Sequence, residues 1–83
     1  MDIKKLAQAG QLIIGKDRTL KTLREGGLQA VILAQNAPPL VRTEVMHLSA
    51  IANVPVHPVP QTNQELGTLC RKGYAVSVLG HKK

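Results

Sequence analysis

The chain has 83 residues, of which 43% are hydrophobic, and it contains one Tyr but no Phe or Trp. This length predicts one domain, and the composition fits a globular domain and argues against disorder. Eleven Lys and Arg against five Asp and Glu give a net charge of +6, which favours a nucleic acid as partner. The single cysteine excludes an internal disulfide, and no apolar run approaches the ~20 residues of a membrane span. We expect one soluble, cytoplasmic domain over residues 1–83, with no membrane partner.

The first half of the chain predicts two helices, each connected to a short apolar strand. Asp2 can cap a helix that ends near Gly10, and a strand over residues 11–14 follows it. A second helix is predicted to start at Asp17 or Thr19 and to end at the next pair of glycines.

The middle of the chain predicts a buried strand and the clearest helix. Residues 30–34 (AVILA) do not alternate between apolar and polar, which is typical of a strand covered on both faces. The loop over residues 35–39 ends in two prolines and leads into a helix. The apolar stripe of that helix comprises Val41, Val45, Leu48 and Ala52.

The last third predicts an extended segment, a helix and a final strand. Residues 54–59 contain two prolines and therefore suit an edge strand. Thr62 and Glu65 have the spacing of a capping box, and residues 74–79 predict the last strand. The alternating order of helices and strands predicts an α/β fold, a three-layer α/β/α sandwich with a central four-stranded mixed sheet. We expect the loops that follow its strands to gather the functional groups.

Residues 15–21 (GKDRTLK) follow a strand and open a helix, where main-chain N–H groups attract phosphate. Lys16, Arg18 and Lys21 add positive charge at this point. The spacing excludes both a Walker loop and a dinucleotide-binding fingerprint. An ordinary Asp17 cap among solvated lysines explains the same residues equally well.

Two features of the last helix and its following loop have a structural and a functional interpretation. Gly67 costs ~1 kcal/mol relative to Ala inside a helix, which either close packing on the sheet or the approach of a ligand can explain. Arg71 and Lys72 precede Tyr74, a combination that can hold and stack unpaired bases. A half-buried Tyr at the start of a strand is the alternative.

The sequence gives little reason to expect an enzyme. The three histidines lie far apart, without the spacing of metal ligands, and Cys70 falls on the inward side of its helix. The acidic residues form no obvious pair for acid–base chemistry. We expect no catalytic residue, no metal, no cofactor and no small-molecule substrate.

Three stretches together resemble one known family. Residues 15–26, the AVILAQNAP stretch at 30–38 and the NQELGT stretch at 63–68 are similar, in order and spacing, to the large-subunit ribosomal L30e branch of the L7Ae group of kink-turn RNA binders. The resemblance implies an α/β/α sandwich that holds a sharply bent RNA internal loop. Together with the basic residues near Tyr74, it gives these candidate RNA contacts: Gly15, Lys16, Asp17, Arg18, Thr19, Lys21, Asn36, Glu65, Leu66, Gly67, Arg71, Lys72 and Tyr74.

The resemblance also indicates which of the possible functions is favoured. Many kink-turn binders carry Asn-Glu where this chain has Asp17-Arg18, and a basic residue there favours the ribosomal branch. The leading hypothesis is a structural protein of the large ribosomal subunit that binds rRNA and has other ribosomal proteins as further potential neighbours. The alternatives are a free-standing kink-turn RNA-binding protein of bacterial type and a small α/β domain, enzymatic or not, that binds a phosphate ligand.

Overall fold

The computed structural model describes residues 2–83 and has four helices and four strands in strict alternation within that range. None of these helices is long and apolar enough to cross a membrane. The elements are α1 (Ile3–Gln8), β1 (Leu12–Ile14), α2 (Lys16–Arg24), β2 (Leu28–Leu33), α3 (Pro39–Ala52), β3 (Val56–Pro58), α4 (Asn63–Leu69) and β4 (Val78–Lys82).

The strands form one sheet in the order β1-β4-β2-β3. β4 pairs antiparallel with both β1 and β2, whereas β2 and β3 are parallel. This confirms the predicted four-stranded mixed sheet. β3 lies at one edge, as the prolines of residues 54–59 indicated, because a proline has no N–H to donate to a neighbouring strand.

β2 is buried on both faces and separates two hydrophobic cores. Val31 and Leu33 pack on the side of α2 and α3, where Val45 is also buried. Ile32 and Ala34 pack on the side of α1 and α4. The alternation of side chains along a strand thus places two helices on each face, which confirms the three-layer sandwich.

Local capping signals in the sequence set several of the helix ends. The Asp2 side chain accepts a hydrogen bond from the Lys5 N–H at 3.1 Å. Thr62 and Glu65 form the predicted capping box, in which each side chain accepts from the other residue's main-chain N–H. Pro39 begins α3, where a missing N–H costs nothing.

Two predicted boundaries are wrong. α2 begins at Lys16 with Gly15 as its N-cap, before the predicted start at Asp17 or Thr19. Gly15 makes the turn directly after β1 with φ 102° and ψ 151°, a conformation that is essentially restricted to glycine. The last strand is displaced as well: residues 74–77 form a loop, and the strand includes His81 and Lys82 from the predicted tail.

Gly67 explains why residues 74–77 form a loop that crosses the end of α4. A Cβ atom on Gly67 would lie far inside the van der Waals contact distance of the Tyr74 carbonyl oxygen, and it would also crowd the Tyr74 carbonyl carbon. The close approach at Gly67 is therefore made by the protein's own main chain. This supports close packing, and not the approach of a ligand, as the reason for a glycine at this position of the helix.

We expect Gly67→Ala to lower the free energy of unfolding by about 1–3 kcal/mol, because the added methyl group overpacks against main chain that cannot move aside. This loss should appear although Ala is the better helix former by ~1 kcal/mol. Gly73→Ala is the matched control, since a Cβ there meets no atom within 4 Å. Urea unfolding measures both variants, and equal stabilities would contradict the proposed contact.

Candidate nucleic-acid interface

The strand register brings four loops to one edge of the sheet. Ile14 pairs with Leu79, and Leu33 pairs with both Val78 and Pro58. The carboxyl ends of β1, β2 and β3 therefore meet at the point where β4 begins. We call this the loop edge, formed by residues 15–18, 34–38, 59–63 and 71–77. The expectation that the loops after the strands gather at one place is confirmed.

Main-chain hydrogen bonds join the four segments of the loop edge, and the segment entering β4 lies at the centre of the network. The bonds are Gly15 N–H to Val78 C=O at 3.1 Å, Ala34 N–H to Ser77 C=O at 2.9 Å, Gln35 N–H to Gln61 C=O at 2.8 Å and Val76 N–H to Asn63 C=O at 2.9 Å. Because backbone groups make these contacts, the shape of the loop edge does not depend on any ligand.

Asn36 joins two of these loops through its side chain. Its amide oxygen accepts from the Asn63 main-chain N–H at 2.7 Å, and its amide nitrogen donates to the Asn63 side chain at 3.2 Å. Asn36 therefore anchors the start of α4 to the end of β2. Glu65 also has a structural role, because its carboxylate accepts from the Thr62 N–H at 3.1 Å.

The start of α2 offers uncapped main-chain N–H groups at the loop edge. No side chain caps this helix, since its N-cap is Gly15, and nothing lies within 4 Å of where a Gly15 side chain would stand. The N–H groups of a helix's first turn have no partner within the helix, and they carry partial positive charge. Asp17 lies within this first turn, so it does not act as the cap considered from the sequence.

The cations on α2 differ in their surroundings. Lys16 Nζ lies 3.6 Å from Glu44 Oε2 on α3, in an ion pair that is partly exposed and therefore weak. Arg18 and Lys21 are exposed and lie three residues apart, so they project from the same side of the helix. They are the freer positive charges beside the uncapped helix start.

Three candidate contacts from the sequence are buried. Thr19 and Leu66 are both 0% exposed, and the Thr19 hydroxyl donates to the Ile13 C=O at 3.4 Å. Gly67 faces the backbone of Tyr74, as described above. The expected direct contacts of Thr19 and Leu66 side chains, and of Gly67, with RNA are therefore wrong for this conformation. These residues support the loop edge from below.

Tyr74 belongs to a cleft that the sequence did not reveal. Its side chain is 60% exposed, so the half-buried alternative is wrong. With Arg18, Lys72 and Lys82 it surrounds a cleft of about 250 Å³ along β1. Lys82 was missed because it was taken for part of a basic tail, and only the pairing of β4 with β1 brings it here.

Burial raises the pKa of the Cys70 thiol, and the nearby positive charge of Lys72 opposes this shift only in part. The neutral thiol is therefore favoured at pH 7, which is the property of a packing residue rather than of a nucleophile. Among residues 2–83 no three His, Cys, Asp or Glu side chains come together in a way that could hold a metal ion.

Residues 1–83 match the model of the Ribosomal protein L7Ae/L30e/S12e/Gadd45 family over their whole length. The chain belongs to this family. Large ribosomal subunit protein eL30 of Spodoptera frugiperda is 43% identical to it over 72 residues, which are 87% of this chain and 64% of that protein. The chain therefore spans less than two thirds of the length of that L7Ae-family relative.

Solved structures agree with this assignment at the level of the fold. A protein of unknown function from Bacillus halodurans C has a TM-score of 0.89 and 26% identity over 98% of this chain and 80% of its own. The Giardia lamblia 15.5kD RNA binding protein has a TM-score of 0.85 and 22% identity, and the match covers 98% of this chain and 68% of that protein. The family model and the relative from Spodoptera frugiperda confirm the family that the three sequence stretches resemble.

In this L7Ae-family chain, Arg71 has an unfavourable backbone conformation directly after α4. Its φ of 58° lies in the left-handed region, which glycine prefers at this position of a helix end. The Arg71 N–H bonds to Thr68 C=O at 3.0 Å and the Lys72 N–H to Gly67 C=O at 2.8 Å, which closes the helix. Arg71 lies beside Ala7 and Gln8 of α1, away from the cleft at Tyr74.

We expect Arg71→Gly to raise the free energy of unfolding by about 0.5–1 kcal/mol. Relief of the left-handed strain, about 1–3 kcal/mol, exceeds the entropy that a new glycine adds to the unfolded chain. Lys72→Gly is the control, because it removes the same charge one residue later without relieving a positive φ. Thermal or urea unfolding measures the stability of both variants. If Arg71→Gly is no more stable than Lys72→Gly, the proposed backbone strain at Arg71 is contradicted.

Proposed function

We propose that this protein binds RNA through the loop edge, and that its RNA is a bent, kink-turn-like internal loop in the rRNA of the large ribosomal subunit. The observation that carries the proposal is the juxtaposition of the uncapped α2 start with exposed Arg18 and Lys21. The protein has no catalytic task in this role, and residues 1–83 act as a single RNA-binding domain in the cytoplasm.

Electrostatics supplies the salt-dependent part of the affinity. The net charge of +6 attracts a polyanion from a distance, and its neutralisation releases counterions from the RNA. At short range the N–H groups that follow Gly15 donate hydrogen bonds to a phosphate oxygen, while Arg18 and Lys21 flank it. Lys16 joins them once its exposed bond to Glu44 opens, which costs little in water.

The shape of the loop edge supplies selectivity. Its four segments are joined by main-chain hydrogen bonds, so the backbone positions of Asp17, Arg18 and Lys72 are set before RNA arrives. A preformed surface favours an RNA whose backbone already bends around it, since neither partner then needs to be ordered on binding. Asn36 and Glu65 contribute by holding the loops in place.

Relatives support the ribosomal assignment. The curated relative from Spodoptera frugiperda is named as a protein of the large ribosomal subunit, and the solved Giardia lamblia relative as an RNA-binding protein. The first name describes a ribosomal protein and the second describes RNA binding. Neither describes a reaction, which agrees with a proposed function that is not enzymatic. Other ribosomal proteins are the further partners to be expected in such an assembly.

We expect the double variant Arg18→Ala/Lys21→Ala to bind a kink-turn RNA at least about tenfold more weakly, because each side chain loses a charge-assisted phosphate contact. The slope of log K against log salt should fall by about 1.8, at about 0.9 per contact. Fluorescence anisotropy at several salt concentrations measures both, and circular dichroism checks the fold.

The matched control is Arg24→Ala/Lys83→Ala, which removes the same charge at the opposite end of the sheet, where Lys83 N–H bonds to Gly27 C=O. If the two double variants lose the same RNA affinity, the loop edge is not the binding surface. A fully paired duplex of the same length should bind more weakly than the kink-turn RNA. Equal affinity for both RNAs would contradict recognition of the RNA by its shape and would leave only binding through net positive charge.

We expect the protein to co-sediment with large ribosomal subunits after a high-salt wash, because shape-matched contacts persist when non-specific electrostatic binding is screened. A sucrose gradient of cell extract with a tagged protein measures this. Release at high salt, together with intact binding to isolated kink-turn RNA, would instead favour a free-standing kink-turn RNA-binding protein.

A further inference from the structure

The cleft beside Tyr74 continues away from the loop edge along β1. We call it the edge cleft, and it is lined by Leu12, Ile13, Ile14, Arg18, Lys72, Tyr74 and Lys82. β1 is the outermost strand on this side of the sheet, so it has a neighbour only in β4. The floor of the edge cleft is therefore a free strand edge.

The register determines which main-chain groups this free edge presents. Gly15 N–H bonds to Val78 C=O at 3.1 Å, and Lys82 N–H bonds to Gln11 C=O at 2.9 Å. The odd-numbered residues of segment 11–15 therefore direct their main-chain N–H and C=O groups toward β4. In an antiparallel pair, the even-numbered residues between them direct these groups away from β4. Leu12 and Ile14 accordingly present their N–H and C=O groups to the cleft.

The walls of the edge cleft supply positive charge from three separate elements. Arg18 comes from α2, Lys72 from the loop after α4 and Lys82 from the end of β4. All three residues are exposed, and none of the lining residues is acidic. Three cations that line one small cleft without an acidic neighbour in its lining are suited to a phosphate group.

The same cleft contains the chain's single aromatic side chain. Tyr74 is 60% exposed, and its backbone is fixed from behind by the close approach of Gly67. An exposed ring on a fixed backbone is a stacking surface for an unpaired base, whatever the identity of the base.

We infer that the edge cleft binds one unpaired nucleotide, with its phosphate among Arg18, Lys72 and Lys82, its base stacked on Tyr74 and the polar edge of the base hydrogen-bonded to the main chain of Leu12 and Ile14. The inference rests on the proposed RNA function and extends the contact beyond the loop edge. It assigns a role to Lys82 and to the free edge of β1. An acidic peptide adding a strand to β1 is less favoured, because only two residues offer outward bonds.

An NMR titration tests the main-chain contact directly. Uridine and adenosine 5′-monophosphates are added at millimolar concentrations to the ¹⁵N-labelled full chain, with inorganic phosphate as the control. We expect the amide signals of Leu12 and Ile14 to shift with the nucleotides and not with phosphate. Identical shifts with phosphate, or no shift at these two amides, overturn the base contact. A larger shift with a short acidic peptide than with either nucleotide overturns it in favour of strand addition.

Substitutions test the same cleft with the kink-turn RNA carrying an unpaired single-stranded extension. Lys82→Ala should lower the salt slope by about 0.7, whereas Lys83→Ala, its neighbour outside the cleft, should leave the slope unchanged. Tyr74→Ala should weaken binding by about five- to a hundredfold, and Tyr74→Phe should retain the affinity because stacking needs only the ring. Equal slopes for the two lysine variants, or equal weakening by Ala and Phe at position 74, overturn the inference.

The failure of this inference is separable from the failure of the proposed function. If Arg18→Ala/Lys21→Ala weakens RNA binding while Lys82→Ala and Lys83→Ala behave alike, the edge cleft is excluded and the loop edge still binds RNA. If none of these variants changes RNA affinity, both are excluded.

Discussion

The close approach of α4 to the backbone of Tyr74 is the contact on which the rest of the loop edge depends. Only a residue without a side chain at position 67 allows the following loop to cross the helix there. From that point the chain enters β4 with Val76 bonded to the start of α4 and Ser77 bonded to the end of β2. This one main-chain contact therefore fixes the backbone at Tyr74, directly before the residues that join the loop edge to β4.

The loop edge combines a hydrogen-bonded main chain with exposed basic side chains. The hydrogen bonds among its four segments involve backbone atoms and the Asn36 side chain, whereas Arg18, Lys21 and Lys72 extend into solvent. This division suits recognition of RNA by shape, since long basic side chains can adjust to phosphate positions while the frame does not change. Thr19 and Leu66 are buried beneath the loop edge, and their packing helps to hold its main chain in place.

Arg71 shows a compromise between stability and charge. A glycine would fit the left-handed conformation after α4 better, yet the chain carries an exposed Arg there. Strained backbone that is kept in this way is a common property of functional loops. Arg71 lines a cleft beside α1, whereas Lys72 and Tyr74 line the edge cleft, so the two adjacent basic residues face different clefts.

The sequence by itself determined the alternation of elements, the double burial of β2, the capping box at Thr62 and the family, because each depends on local spacing or composition. It also indicated the charged start of α2. Tertiary structure decided which candidates can be reached: Leu66 and Gly67 are covered by the fold, and Lys82 joins Tyr74 through strand pairing. The sequence could not supply this, since whether a side chain is exposed depends on contacts between residues far apart in the chain. The start of β4 was misjudged for the same reason, because contact with α4, and not the apolar pattern, sets where residues 74–77 lie.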